Sequence, residues 1–343
     1  MKHRSFFWFI LPTLTAMILF IALPIVSVLI QSLYVEHDQV LVTNESCGPF
    51  GCNTETTIDT EATAQLRDEQ PLGQFNGLGT YINRSHLAFS EVGEAWQARE
   101  GLRDFINRLM NLPFYNALIF TLVYTAVVTP AVIVIGLGIA VGVNNLPRMV
   151  RGPTIFVSLL PMIVTPLVGA LILFWMVDAD GIIGATIQRL ADDPNLSLKA
   201  STPLMWLMLI VYGIWSSLPF SFIVFYAGLQ TVPEDTMEAA MIDGATQWQR
   251  MMHVVVPHLM PLVTFVTLIQ LMDNFRVFEP IISFSAEAHA TSLSWIIFND
   301  LREGGTPLYG SAAATSMLTI IGVAILLMPV LIRTWRDFNR KAH

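Results

Sequence analysis

The spacing of the charged residues constrains this chain more than any other feature. Soluble domains carry about 25 % charged residues, whereas this chain carries 13 % and is 54 % apolar. A helix needs about 20 residues to cross about 30 Å of hydrocarbon at 1.5 Å per residue. Six stretches without Asp, Glu, Lys or Arg exceed that length: 5–35, 109–147, 152–177, 200–233, 251–272 and 304–332. The sequence therefore predicts an all-α integral membrane protein with six transmembrane helices.

Basic residues flank alternate spans, and this pattern predicts the orientation of the chain. Short segments rich in Lys and Arg stay on the cytoplasmic side of a membrane. They lie before the first span, after the second and after the sixth: Lys2, Arg4, Arg148, Arg151, Arg333, Arg336, Arg340 and Lys341. We therefore predict that both termini are cytoplasmic. The predicted outer segments 35–113, 178–203 and 285–303 are each net acidic, which argues against a nucleic-acid partner.

These spans divide the chain into four parts. We predict an N-terminus with the first span (1–34), a long outer segment (35–113), a membrane core (114–335) and a short cytoplasmic tail (336–343). The first apolar stretch also has the basic start of a signal peptide. It runs for 31 residues without a charge and has no convincing small-residue cleavage site before Tyr34, so we expect it to remain as a span.

The outer segment contains both cysteines of the chain. Residues 40–70 are acidic and rich in Thr with little periodicity, and we expect them to form a loosely ordered excursion. Cys47 and Cys52 lie within it, with four residues between them. In an oxidising compartment they can close a small disulfide loop, and the alternative is two free thiols. No metal site is predicted.

A predicted cytoplasmic segment between the fourth and fifth spans, residues 231–261, is the most informative part of the sequence. Its pattern predicts two short helices joined at Gly244, where a left-handed residue is needed. The second helix begins with a capping box of Thr246 and Gln249 and is predicted to end at Pro257 and Pro261. Apolar residues recur at helical spacing in both helices: Met237, Ala240, Met241, Trp248, Met251, Met252 and Val255. Either the membrane surface or a partner protein covers this face.

Fixed residues in the same segment resemble a known motif. Glu238-Ala239-Ala240, then Gly244, then Val254-x-Val256-Pro257 resembles the EAA-x3-G-x9-I-x-L-P loop of type I ABC importer permeases. The similarity extends over about residues 70–335 and includes Phe75-Asn76-Gly77-Leu78 and Pro219-Phe220. It is to the carbohydrate branch of that family, the maltose- and glycerol-phosphate-type permeases.

The resemblance implies a specific assembly in the bacterial inner membrane. Two homologous permease chains form the translocation pathway, two cytoplasmic ATPase subunits use ATP and Mg²⁺, and a periplasmic solute-binding protein delivers a sugar or sugar derivative. This chain would bind no cofactor and would not be an enzyme; none of its three lysines follows a glycine, so it has no G-x4-G-K-[ST] phosphate loop. The residues implied to couple it to the ATPase are Glu238, Ala239, Ala240, Asp243, Gly244, Trp248, Met252 and Pro257.

The fifth predicted span carries the exceptions to the charge-free pattern. Asp273, Arg276 and Glu279 are three residues apart, which predicts one helix face, with Asp273 near the middle of the span. A charge there costs about 2.5–3.5 kcal/mol and needs a partner or an aqueous cavity. One interpretation is a structural ion-pair ladder against the partner permease. The other is a solute pathway formed by Asp273, Asn274, Arg276, Tyr212 and Trp215.

Other functions fit the six predicted spans. A secondary transporter also carries charges within its spans, but it has no use for a docking hairpin. A membrane scaffold would keep the hairpin without a pathway. The importer itself could carry a polyamine, phosphate or a peptide in place of a sugar.

Overall fold

The computed structural model describes residues 2–37, 40–48, 51–193, 195–302 and 307–341. Side chains are described throughout these ranges except at residues 2–5, 44–48, 51–55, 337, 338, 340 and 341. The chain is mostly helical and forms two compact units. The first comprises residues 1–115 and 296–320, and the second comprises residues 116–295 and 321–343.

The predicted number of spans is confirmed. Within the described ranges, six helical segments are long and apolar enough to cross a membrane: Phe6–Gln31, Pro113–Asn144, Pro166–Ala191, Thr202–Leu229, Gln247–Phe275 and Tyr309–Arg336. The chain is therefore a multi-pass membrane protein. Its long helices are apolar on all sides, which is typical of helices that are surrounded by lipid and by other helices.

The first unit combines the first span with short elements that lie between the first and second spans in the sequence. A π-helical turn, Ile18–Ala22, joins the first two helices of the chain. The elements are α1 (Lys2–Met17), α2 (Leu23–Gln31), β1 (Tyr34–Val35), β2 (Leu41–Gly48), β3 (Gly51–Ile58), α3 (Thr60–Glu69), β4 (Gln74–Phe75), α4 (Gly79–Ile82), α5 (Phe89–Gln97) and α6 (Leu102–Leu109). Strands β1 and β4 pair antiparallel, and so do β2 and β3.

The expectation of loose order at residues 40–70 was wrong. This stretch contains the β2–β3 hairpin and helix α3. The Thr, Val and Ile residues of this stretch, in which we found little periodicity, favour extended strands because β-branched side chains fit a pleated surface. Asp59 then starts α3, since its carboxylate accepts hydrogen bonds from the backbone N–H groups of Glu61 (3.1 Å) and Ala62 (2.9 Å).

The hairpin register also bears on the two cysteines. The backbone of Cys47 lies directly opposite that of Cys52 in the β2–β3 pair. Residues directly opposite each other in an antiparallel pair have Cβ atoms about 4.5–5.5 Å apart. The two side chains lie outside the described residues, so the disulfide stays a prediction.

A buried histidine connects the segment before the second span to the last helical segment of the first unit. The Nε2 atom of His86 lies 3.1 Å from both the carbonyl of Ser311 and the hydroxyl of Thr315. Its Nδ1 atom lies 2.8 Å from the Oδ1 atom of Asn83. Burial lowers the pKa of His86, because desolvation penalises the charged ring. Both ring nitrogens therefore have partners within a dry contact.

The second unit contains most of the membrane core. Three of its helices, which begin at Pro113, Leu293 and Tyr309, belong partly to the first unit. The elements are α7 (Pro113–Asn144), α8 (Arg148–Ile163), α9 (Pro166–Val177), α10 (Ile182–Ala191), α11 (Thr202–Leu229), α12 (Glu234–Ile242), α13 (Gln247–Arg250), a π-helical turn (Met251–Val255), α14 (Val256–Phe275), α15 (Glu279–Ser283), α16 (Leu293–Asp300) and α17 (Tyr309–Lys341).

The predicted span 152–177 is two helices. The chain breaks between α8 and α9, where Thr165 is extended with φ −62° and ψ 144°. Pro166 is the cause, because its ring disfavours the helical conformation of the residue before it. The third candidate span therefore begins at Pro166 and continues to Ala191.

Aromatic side chains fill the core of the second unit. One buried cluster contains Tyr124, Tyr212 and Phe284, and the rings of Tyr212 and Phe284 are 6.0 Å apart at an angle of 61°. A second cluster surrounds Phe222 and Phe225. Edge-to-face aromatic contacts of this kind contribute about 0.5–1.5 kcal/mol beyond the area that they bury. These clusters fix the helices that carry the sites described next.

Candidate functional site

Residues 231–261, called the elbow hairpin below, form a tight turn between α12 and the next helix. Gly244 has φ +75°, so it adopts the left-handed conformation that the sequence predicts. The N–H of Ala245 donates to the carbonyl of Ala240 and that of Gly244 to the carbonyl of Met241, both at 3.0 Å. These two bonds form a Schellman motif. The backbone itself therefore fixes the angle of the elbow.

The second helix of the elbow hairpin begins as predicted but does not end as predicted. The capping box is confirmed: the Thr246 hydroxyl accepts from the Gln249 N–H (3.3 Å), and the Gln249 side chain accepts from the Thr246 N–H (2.8 Å). The helix then continues through Pro257 as one segment to Phe275. A π-helical turn just before Pro257 relieves the clash of the proline ring with the preceding turn.

The tip of the elbow hairpin presents an exposed apolar surface. Trp248 is 69 % exposed, and Met241 and Met252 are also exposed. Ile242 is 87 % exposed, and the sequence interpretation missed it. Its place directly before the glycine elbow was the available signal. The other predicted coupling residues follow the same pattern, because only Ala240 is partly buried and the remainder are exposed: Glu238, Ala239, Asp243, Gly244 and Pro257.

The base of the elbow hairpin, where it joins α11 and α14, is packed and hydrogen-bonded. Leu259 is fully buried, and an added Cβ at Gly228 would lie 2.8 Å from its Cδ2 atom, so α11 and α14 are in close contact there. The hydroxyl of Thr231 lies 3.1 Å from Nε2 of His258. The elbow hairpin thus has an exposed tip on an ordered base.

A side-chain hydrogen bond also connects the base to the end of α7. The Gln230 amide donates to Oδ1 of Asn144 at 2.9 Å. The guanidinium of Arg151 donates to the carbonyls of Asn144 (2.7 Å) and Leu146 (3.1 Å). The loop after the second span therefore lies on the same side of the second unit as the elbow hairpin.

A polar cavity of about 500 Å³ lies between the helices of the second unit. It contains four of the five predicted pathway residues, namely Asp273, Asn274, Arg276 and Tyr212. Trp215 is not among the lining residues. The cavity wall also includes groups that the sequence interpretation did not assign to it: Tyr124, Pro166, Ser216, Ser217, Val277, Glu279 and Pro280.

The charged residues of the cavity do not form the predicted ladder on one helix. Helix α14 ends at Phe275, so Asp273 lies near its end, Arg276 follows it, and Glu279 begins α15. The guanidinium of Arg276 donates to the carboxylate of Asp273 at 3.2 Å, and both side chains are exposed. The chain bends where a continuous helix was expected, yet it still brings the three charges to one cavity.

The two tyrosines of the cavity wall have defined partners. The Tyr212 hydroxyl donates to the carbonyl of Pro166, at the break between α8 and α9. An added Cβ at Gly213 would lie 2.0 Å from the hydroxyl of Tyr124, so a larger residue does not fit there. The ring of Trp215 lies 5.9 Å from that of Tyr212. Trp215 therefore packs against a residue of the cavity wall without lining the cavity itself.

Asn274, which also lines the cavity, forms hydrogen bonds with other protein groups. It is buried, and its amide donates to the hydroxyl of Thr129 at 3.0 Å and contacts Oε1 of Gln270 at 3.4 Å. The bond to Thr129 connects α14 to α7, whereas Gln270 lies on α14 itself. The amide nitrogen of Asn274 is therefore already engaged by protein groups.

The cavity can bind hydroxyl groups better than anions. Its described lining residues include two carboxylates, Asp273 and Glu279, and one guanidinium, which is already paired. Two serine hydroxyls and two tyrosine rings complete the wall. Carboxylates accept hydrogen bonds, hydroxyls donate and accept them, and aromatic faces pack on apolar surface. Among the described residues, no cluster of three or more His, Cys, Asp or Glu side chains is placed to bind a metal ion.

Comparison with known proteins identifies relatives across most of the chain. Residues 105–337 match the family described as "Binding-protein-dependent transport system inner membrane component". The chain is 26 % identical over 234 residues to the sn-glycerol-3-phosphate transport system permease protein UgpA of Yersinia pestis bv. Antiqua, covering 66 % of this chain and 78 % of that protein. It is 27 % identical over 226 residues to the trehalose/maltose transport system permease protein MalF of Thermococcus litoralis, covering 64 % and 75 %.

Solved structures share the fold. A chain of a bacterial ABC transporter involved in the import of the acidic polysaccharide alginate superposes with a TM-score of 0.58 at 19 % identity. The match covers 80 % of this chain and 95 % of that chain. A second structure, of the bacterial alginate ABC transporter in complex with an alginate pentasaccharide-bound periplasmic protein, superposes with a TM-score of 0.56 over 71 % of this chain and 85 % of that one.

Proposed function

Because the chain belongs to the family of binding-protein-dependent transport system inner membrane components, we propose that it is the permease subunit of an ABC importer for a sugar or sugar derivative. It forms half of the translocation pathway in the bacterial inner membrane, together with a second homologous permease chain. Two separate cytoplasmic ATPase subunits use ATP and Mg²⁺, and a periplasmic binding protein delivers the solute. Both termini and the elbow hairpin face the cytoplasm, in accordance with the basic residues that flank alternate spans.

The exposed tip of the elbow hairpin carries this proposal. Ile242 and Trp248 form an apolar surface on a segment whose base is ordered. Exposed apolar surface of this kind is typical of a protein interface. The residues implied to meet the ATPase are Glu238, Ala239, Ala240, Asp243, Gly244, Trp248, Met252 and Pro257, to which we add Met241 and Ile242.

The connections of the elbow hairpin provide a route from the ATPase to the pathway. Its first end continues from α11, which carries Tyr212, and its second end continues into α14, which carries Asp273. When the ATPase pair closes on nucleotide, the elbow hairpin moves with it as a rigid lever. The two helices that line the cavity then move as well, which switches the pathway between outward and inward access.

Loss of the ATPase on purification tests this proposal. Ile242→Asp places a charge in the proposed interface and should remove the ATPase subunits from the affinity-purified permease. Met149→Asp is the matched control, because Met149 is 91 % exposed at the start of α8, outside the elbow hairpin. Equal loss in both variants would contradict the assignment of the interface. A wild-type complex without any ATPase, with uptake that resists vanadate and stops with an ionophore, would favour a secondary transporter.

The charge balance of the cavity supports a neutral, hydroxyl-rich solute. Among the described residues that line the cavity, Arg276 is the only cation, and it is paired with Asp273. Arg276→Ala leaves Asp273 without this partner and should reduce uptake of neutral sugars, whereas Arg276→Lys should retain most of it. Uptake assays with a panel of neutral and anionic sugars, guided by mass spectrometry of the ligand retained by the cognate binding protein, check this. Import of an anionic sugar that only Arg276→Ala abolishes would identify Arg276 as an anion-binding residue.

A further inference from the structure

Helices α5 and α6 form a small amphipathic pair just before the second span. Residues i, i+3, i+4 and i+7 of a helix lie on one face. In α6 these positions are all apolar: Leu102, Phe105, Ile106 and Leu109. The opposite face is wholly polar: Arg103, Asp104, Asn107 and Arg108. In α5, Phe89 and Trp96 are seven residues apart and share one face.

The apolar faces of the pair are joined but not covered. The rings of Trp96 and Phe105 meet edge to face with centroids 5.2 Å apart. Leu102 remains 74 % exposed, Trp96 is 49 % exposed, and Phe89 and Ile106 are exposed as well. No other described residue of the first unit therefore fully buries this surface.

Two charged groups on the polar face of α6, in contrast, are paired. Arg108 forms an ion pair with Asp104 at 2.8 Å. This bond lowers the pKa of Asp104, so the carboxylate stays charged. Between the two helices, the guanidinium of Arg99 lies over the Trp96 ring at 3.2 Å and donates to the Trp96 carbonyl at 2.7 Å. Helix α6 thus has a charged face opposite an exposed apolar one.

The pair is fastened to the point where the chain enters the membrane. Helix α6 ends at Leu109, and the second candidate span starts at Pro113. The N–H of Leu112 donates to the carbonyl of Leu109 at 2.9 Å, which makes this connection an ordered turn. The hydroxyl of Tyr115, in the first turn of the span, donates to the carbonyl of Leu87 just before α5 at 2.7 Å. Both ends of the pair are therefore held next to the start of the span.

We propose that the α5–α6 pair lies in the lipid–water interface of the same bilayer, with phospholipid as the occupant of its apolar face. A short helix with an apolar stripe and a charged opposite face lies in the plane of the interface and buries the stripe at the boundary of headgroups and acyl chains. Trp and Phe are suited to that depth. The pair fixes how deeply the second span sits in the membrane. This holds independently of any ATPase partner or solute.

Spin labels on the two faces of α6 test the proposal. The full complex is placed in nanodiscs of phosphatidylethanolamine and phosphatidylglycerol, with Cys47 and Cys52 replaced by Ser. Labels at Leu102→Cys and Ile106→Cys should be severalfold more accessible to oxygen, relative to a water-soluble nickel chelate, than labels at the control positions. The matched controls on the polar face are Arg103→Cys and Asn107→Cys.

Three outcomes overturn the proposal. Equal access of the nickel chelate to both faces would mean that the apolar stripe lies in water. Access that is lost only after the periplasmic binding protein is added would identify that protein as the occupant. Quenching of Trp96 by brominated phospholipids, measured as the difference between the wild type and Trp96→Phe, provides a readout that needs no label; absence of this difference would also contradict the proposal.

Discussion

A single left-handed residue sets the geometry of the elbow hairpin. Gly244 has φ +75°, and an added Cβ would meet nothing within 4 Å. The requirement for glycine is therefore conformational and not steric. For an L-residue this conformation costs about 1–2 kcal/mol, and Asn tolerates it better than a β-branched residue does.

We expect Gly244→Val to uncouple transport and Gly244→Asn to retain most of the coupling. Val resists the left-handed conformation, so the Schellman bonds weaken and the elbow loses its fixed angle. The measurement is solute-stimulated ATP hydrolysis in proteoliposomes, normalised to the amount of assembled complex. Equal activity of the two variants would show that the angle of the elbow does not control coupling.

A steric contact sets the cavity wall at Gly213. Its added Cβ would lie 2.0 Å from the hydroxyl of Tyr124 and 2.7 Å from the ring carbon that carries it. Gly213→Ala should therefore destabilise the protein by about 1–3 kcal/mol through overpacking. Combining it with Tyr124→Phe should restore part of the loss, because the hydroxyl is removed but the ring remains. Thermal unfolding in detergent checks this, with Gly138→Ala as a control at an open position; an unchanged midpoint for Gly213→Ala would refute the contact.

At the scale of the helix, the segment from Gln247 to Phe275 combines a local capping signal at its start with packing against another helix farther along. Thr246 and Gln249 cap its first turn, so the helix begins where the sequence predicts. Pro257 then fails to end it, since a π-helical turn accommodates the ring and α14 packs against α11 beyond it. A proline limits a helix only where nothing else stabilises the next turn.

We expect Thr246→Ala to loosen the first turn of this helix. Loss of an N-cap hydroxyl costs about 0.5–2 kcal/mol. Faster hydrogen exchange of the amides at residues 247–250 is the expected result, whereas Thr246→Ser keeps a hydroxyl and should exchange like the wild type. If alanine and serine behave alike, the cap does not stabilise this turn.

At the scale of the whole molecule, the division of charge predicts the orientation in the membrane. Asn195 lies in a predicted outer segment and Gln247 in the elbow hairpin, and both are exposed. In a background with Cys47 and Cys52 replaced by Ser, Asn195→Cys should react with an impermeant maleimide from outside intact cells, because one candidate span separates it from the basic residues Arg148 and Arg151, which stay on the cytoplasmic side. Gln247→Cys should react only after the membrane is opened. Labelling of Gln247→Cys in intact cells would invert the predicted topology.

The local predictions that are confirmed rest on caps whose partners lie within a few residues, namely those of Gly244, Thr246 and Gln249. The break before Pro166 follows from the same kind of local rule, and it was missed because the spans were predicted from charge-free stretches alone. The β2–β3 hairpin was missed because its polar Thr residues hid a strand preference.

The six spans and the elbow were determined by the sequence itself, because hydrocarbon excludes charge and forces each backbone segment to satisfy its own hydrogen bonds. The cavity was decided by the tertiary structure. Tyr124, Pro166, Tyr212 and Glu279 come from distant parts of the chain, and only helix packing brings them together. Likewise, Asp273 and Arg276 were predicted to share a helix face, but they pair across a helix end that the fold imposes.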